Sequence, residues 1–149
     1  MVLHLIRHAK TNQLSPTGKD YDRPLLERGW KQCEELTDYL KKKDFEQSKV
    51  ICSSAKRTRE TLEGTEACFT SAEIEFSEEL YLCSLATYLK KIWSKNHQKD
   101  LVIIGHNFGI SDLANYFLDR QDEMRTAEYV CIEFPFDSWE EAFQATGSL

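Results

Sequence analysis

Val2-Leu3-His4-Leu5-Ile6-Arg7-His8 is a short apolar run that ends in a guanidinium and an imidazole. Such a run, followed by polar residues, reads as a strand that stops at a turn. The pattern returns twice. Val50-Ile51-Cys52-Ser53-Ser54 ends in two hydroxyls with Arg57 one turn further on, and Leu101-Val102-Ile103-Ile104-Gly105-His106-Asn107 ends in a second imidazole. Open α/β sheets bind ligands outside the carboxyl ends of their strands. Three such ends would gather Arg7, His8, Ser53, Arg57 and His106 around one pocket of cationic and hydrogen-bonding groups. That composition suits a phosphate.

Helical patterns fill the intervals. Leu26, Trp30, Cys33, Leu36 and Leu40 share one helical face, which predicts a helix over 26–43 with Lys41, Lys42 and Lys43 on its last turn. Residues 55–68 read as a polar surface helix and 73–76 as a weak strand. Leu85, Tyr88, Leu89, Ile92 and Trp93 form a second stripe, closed by Lys95 and His97. A further helix is expected over 108–118, and a strand over 128–134, where Val130, Ile132 and Phe134 alternate before Pro135. Alternating strands and helices predict an α/β fold: one domain over 1–149, a three-layer sandwich with a mostly parallel sheet and helices on both faces. The polar stretch 10–23, directly after the first strand, is long enough to be functional or mobile. The tail after Asp137 gives no clear pattern.

At 149 residues the chain is long enough for one core and short for two. No apolar stretch approaches the roughly 20 residues of a membrane helix, and Met1 leads straight into a strand rather than a secretory signal, so a cytoplasmic location is expected. Cys33, Cys52, Cys68, Cys83 and Cys131 are odd in number and lack a C-x-x-C pair, which reads as buried free thiols rather than disulfides or zinc ligands. A net charge of −6 argues against nucleic-acid or anionic-membrane surfaces, so any attraction for phosphate must be local. His4 and His8 are four apart, but on a strand and without the glutamate of H-E-x-x-H, so no metal site is read there. Gly105-His106-Asn107-Phe108-Gly109 has the glycine spacing of a nucleophile elbow with asparagine where serine must stand, which disfavours a serine esterase.

Arg7-His8-Ala9, Asp22-Arg23-Pro24-Leu25 with Gly29, Ser53-Ser54-Ala55-Lys56-Arg57-Thr58 with Thr61, and Gly105-His106-Asn107-Phe108-Gly109 follow one another as in the histidine phosphatase superfamily, the phosphoglycerate-mutase-like clan. The Arg-Pro-Leu element and the small size resemble its SixA-type phosphohistidine phosphatase branch. The resemblance spans residues 2 to about 134. It implies that His8 is the nucleophile, that Arg7 and Arg57 hold the phosphoryl group and that His106 is the second imidazole of the pocket. Chemistry agrees: a neutral imidazole can attack phosphorus, and arginine offers a planar fork that keeps its charge. Positioning and electrostatic stabilisation carry in-line phosphoryl transfer, so this clamp needs no metal and no cofactor. Ser53, Asn107 and Arg23 are further candidate phosphate contacts.

Two departures from the family pattern matter. Ala9 replaces a common glycine and would be strained at positive φ. Leu82 stands where many relatives carry a glutamate that serves as general acid. An alkoxide leaving group needs a proton, which general acid catalysis supplies at about 10²–10⁴ in rate, whereas imidazole leaves far more easily. The missing acid favours phosphohistidine, although Asp22 or Glu79 could still reach the site. Only residues 81–84 separate the third strand from the next helix, too few for a cap, so a phosphorylated protein could enter. The alternatives are a phosphomonoesterase for a small phosphate compound, with Asp22, Glu78 or Glu79 as acid, and a phosphate-recognition module without turnover. The sequence leaves the oligomeric state open.

Overall fold

The computed structural model describes residues 1–45, 48–94 and 100–149; Lys95 and His97, read above as a helix end, lie outside them. Five strands form one sheet: β1 (Val2–Arg7), β2 (Ser48–Ser53), β3 (Glu73–Ser77), β4 (Asp100–Gly105) and β5 (Tyr129–Glu133). Their order across the sheet is β3-β2-β4-β1-β5. β1, β2, β3 and β4 run parallel, and β5 is antiparallel to β1. Among the described residues, four helices cover the sheet: α1 (Glu27–Leu40), α2 (Lys56–Thr65), α3 (Leu85–Ile92) and α4 (Gly109–Leu118).

Strand alternation sorts the core into two layers. Leu3 and Leu5 of β1, with Leu101 and Ile103 of β4, pack against Tyr88, Leu89 and Ile92 of α3 and Leu113 and Phe117 of α4. Ile6, Val50, Cys52, Val102 and Ile104 point the other way, onto Leu36 and Leu40 of α1 and Leu62 of α2. The fold is thus the expected three-layer α/β sandwich with helices on both faces.

Several local expectations change. The first helix ends at Leu40, so Lys41, Lys42 and Lys43 follow its last turn instead of forming it. α2 is no surface helix: Arg57, Thr58, Thr61, Leu62 and Thr65 are buried. Its threonines tolerate burial because their hydroxyls donate to main-chain carbonyls, Thr58 to Ser53 (2.7 Å), Thr61 to Arg57 (2.7 Å) and Thr65 to Thr61 (2.9 Å). All five cysteines are free thiols, but only Cys33 and Cys52 are fully buried. The tail is ordered by burial of Trp139 and Ala142, and Ser148 bridges Glu133 at the β5 edge.

Candidate active site

The sheet order places β4 between β1 and β2, so the residue after β4 must lie between those that follow its neighbours. Register levels the three ends, with Arg7 opposite Gly105 and Ile104 opposite Cys52. His106 is accordingly flanked by His8 on one side and Ser53 on the other. The two imidazole rings lie 5.4 Å apart, and His106 Nε2 is 2.7 Å from Ser53 Oγ. The His106 N–H donates to the hydroxyl of Tyr88 at 3.3 Å. That approach requires glycine next door, since a Cβ on Gly105 would lie 2.1 Å from the same hydroxyl.

His8 Nδ1 lies 2.9 Å from the carbonyl oxygen of Ala9. A carbonyl only accepts, so Nδ1 carries the proton and Nε2 keeps its lone pair. Burial lowers the pKa of His8 to about 4; the Ala9 bond opposes this, and the charges of Arg57, Arg7 and Arg23 add to it. His106 is lowered to about 3, first by burial and then by Arg57 and His8. Both rings are neutral at pH 7. Ala9 is not among the described non-glycine residues with positive φ, so its backbone carries no such strain; its N–H is tied to Thr61 Oγ1 at 3.0 Å.

Arg7 and Arg57 are oriented by contacts with main-chain carbonyls and carboxylates. Arg7 Nη1 donates to the Met124 carbonyl at 2.6 Å and lies 3.9 Å from Glu123. Arg57, 3% exposed on the first turn of α2, donates from Nη1 to the Asp20 carbonyl (2.8 Å) and from Nη2 to the Asp20 carboxylate (3.0 Å). Among the described residues, the buried side-chain nitrogens and oxygens without a partner are Arg7 Nε, Ser54 Oγ, Arg57 Nε, His106 Nδ1 and Arg120 Nε. Three of these five belong to the residues gathered here. Buried donors left unpaired are costly, and an oxyanion among them would remove that cost.

The remaining candidates divide. Ser53 reaches the site but spends its hydroxyl on His106. The Asn107 side chain offers no free donor: its amide nitrogen is bonded to Glu123 (3.1 Å) and Met124 (3.0 Å), and its oxygen accepts from Ser111 (2.6 Å). It shares the Met124 carbonyl with Arg7 and so secures that arginine. Arg23 bonds Asn12 O, Asp20 Oδ1 and Thr11 Oγ1, bracing the 10–23 loop, although its charge still acts on His8. Asp22 accepts from Thr17 within that loop, and Glu79 is exposed on the 3-10 turn Glu78–Leu80.

Two residues absent from the candidates contact the site instead. The Tyr81 ring stands edge-on to His106 at 5.6 Å, with the Arg57 guanidinium 5.8 Å from its centroid. Its hydroxyl donates to Asp20 at 2.5 Å. Asp20 was detectable as an Asp-x-x-Arg pair with Arg23, i to i+3. Tyr81 had no local signal beyond its place beside the expected acid.

Burial of three imidazoles makes the fold sensitive to acid. His4, bonded to the Tyr129 hydroxyl at 2.7 Å, is lowered to about 4 by burial, as His8 is, and His106 to about 3. Each binds its proton more weakly folded than unfolded, so stability present above about 6.5 is lost as pH falls toward these values. Between pH 7 and 5 the expected loss is roughly 1–2 kcal/mol per imidazole, read from urea midpoints. His8→Ala should lose correspondingly less over that interval; an equal loss in the variant would contradict neutral burial of His8.

Residues 3–81 match the family model described as histidine phosphatase superfamily (branch 1). An uncharacterized chloroplastic protein of Arabidopsis thaliana is 29% identical, covering 97% of this chain and 72% of its own length. A SixA-type protein of Nakamurella multipartitia superposes with a TM-score of 0.80 at 22% identity, covering 99% of this chain and 93% of that one. The protein histidine phosphatase SixA, solved with tungstate, gives 0.78 at 18% identity, covering 100% and 95%.

Proposed function

Because the chain belongs to the histidine phosphatase superfamily, branch 1, we propose that it is a phosphohistidine phosphatase acting on a phosphorylated protein through a covalent intermediate on His8. The observation that carries this reading is the His8 ring itself. It is neutral, with its proton committed to Ala9 and a free lone pair at Nε2. In this reaction Nε2 bonds to phosphorus as the bond to the substrate imidazole breaks. That imidazole leaves with the electron pair and takes a proton from solvent. Water then attacks the phosphorus of phospho-His8, orthophosphate departs and the ring is regenerated. Arg7 and Arg57 hold the charge throughout, so no metal or cofactor is invoked.

The surroundings of the leaving group support the choice of phosphohistidine. Leu82 cannot donate a proton, Glu79 is exposed, and Asp22 is engaged with Thr17. Asp20, which does approach, is held far below the ordinary carboxylate range by its bonds to Tyr81, Arg23 and Arg57, which outweigh its desolvation. An ionised carboxylate has no proton to give. Residues 78–84 connect β3 to α3 without a cap. Phe108 (70% exposed) and Leu82 (53%) flank the adjoining turns after β4 and β3, and apolar side chains placed there suit contact with a protein. Five free thiols fit the reducing cytoplasm assigned in this reading.

Leaving-group chemistry tests the proposal. kcat/KM for a phosphohistidine-bearing protein should exceed that for an alkyl phosphate by at least about 10², the contribution that a general acid would supply to the ester. A preference for the alkyl ester would instead identify a small-molecule phosphomonoesterase.

A further inference from the structure

We propose that Asp20 is the positioning residue of the phosphate clamp, fixing Arg57 and Arg23 together and holding Tyr81 against them, without exchanging a proton with the substrate. The inference rests on the phosphatase reading above and adds to it a residue in the loop after β1.

Arginine carries five N–H donors in a rigid plane. Asp20 takes one from each terminal nitrogen of Arg57, through its main-chain carbonyl (2.8 Å) and its carboxylate (3.0 Å). The remaining nitrogen, Nε, is buried without a partner. One part of the guanidinium is therefore held by the protein, while Nε is left for an oxyanion. Two anchoring points on one plane fix its orientation as a single one would not.

The same carboxylate binds Arg23 Nη1 at 2.9 Å and accepts from Tyr81 Oη at 2.5 Å. Arg23 is braced in turn by Asn12 O (2.6 Å) and Thr11 Oγ1 (2.7 Å), and Tyr21 packs on Tyr81 at 5.0 Å. Asp20 thus connects the loop after β1, the first turn of α2 and the turn after β3, whose residues are otherwise 37 and 61 positions away from it in sequence. It also separates two guanidinium groups that would repel each other. Its side chain is 42% exposed, so solvent weakens the charge interaction and the main effect is geometric.

Wild type, Asp20→Asn, Asp20→Ala and Tyr81→Phe can be compared by tungstate and inorganic phosphate affinity, by kcat and KM on a phosphoramidate, an aryl phosphate and an alkyl phosphate, and by Tm. Asp20→Ala should raise Kd for both anions and KM about tenfold, by one factor for every leaving group, with the aryl-to-alkyl rate ratio unchanged. Asp20→Asn, which keeps an acceptor oxygen, should recover part of the loss. Tyr81→Phe keeps the ring and removes one bond, for a shift of about threefold. Loss confined to the alkyl ester would make Asp20 a proton donor and overturn the proposal. A lower Tm with unchanged KM and Kd would also overturn it, by leaving only a structural role. If the wild type binds neither anion, the phosphatase reading itself fails, a result distinct from equal binding by wild type and Asp20→Ala.

Discussion

Replacing His8 by alanine is expected to reduce turnover of phosphohistidine by at least about 10⁴-fold, the scale seen when a nucleophile acting within a unit is removed. The reason lies in what survives the change. The proposed clamp of Arg7 and Arg57 remains, held by Met124 and Asp20, so a phosphate should still bind. What disappears is the imidazole whose proton is fixed on Nδ1 by the Ala9 carbonyl and whose Nε2 is free. His106 is not set up in the same way: its Nε2 is 2.7 Å from Ser53 Oγ and its Nδ1 has no carbonyl among the described residues to hold a proton. Wild-type protein quenched during turnover should carry a phosphoryl label that is stable in alkali and lost in acid, as a phosphoramidate is. The variant should carry none. His8→Asn provides a check on folding, since it retains a polar group of similar reach. A labelled and fully active His8→Ala protein would remove His8 from the mechanism.

The strand ends were legible in the sequence because branched apolar residues break off there at polar ones, and parallel order then forces those ends together. Arg7, His8, Ser53 and His106 are such cases, and Arg57 follows on the first turn of the helix after β2. Polar residues inside the motifs were harder to assign. Asn107 stands beside His106 and looks like a donor, yet its amide nitrogen is consumed by Glu123 and Met124, contacts that depend on how the 119–128 segment folds back, and its oxygen accepts from Ser111 four residues on. Asp22 was the carboxylate read from the sequence and Asp20 was not, for the same reason. Both lie in one 3-10 turn, and only the distant Arg57 and Tyr81 decide which carboxylate faces the site. The α2 helix read as a surface element because threonine counts as polar; its hydroxyls satisfy carbonyls within the helix and at the end of β2, so the face can be buried.

Arg57 carries the second large effect. Arg57→Ala should lower kcat/KM by about 10²–10³, as loss of one preorganised donor to developing charge typically does. Arg57→Lys discriminates between charge and geometry. Lysine keeps the positive charge but has a single ammonium in place of the plane that meets the Asp20 carbonyl and carboxylate while leaving Nε for the phosphoryl oxygens. If charge alone mattered, lysine would restore activity. The two-sided contact predicts that it recovers no more than about tenfold of the loss, with tungstate affinity falling in parallel with kcat/KM. Arg57 is 3% exposed, so stability must be measured alongside, by Tm with and without tungstate. Wild type should gain stability from the anion and both variants much less, because a ligand stabilises only in proportion to its affinity for the folded state. Full rescue by lysine would leave Arg57 as a source of positive charge and make its alignment by Asp20 irrelevant to catalysis.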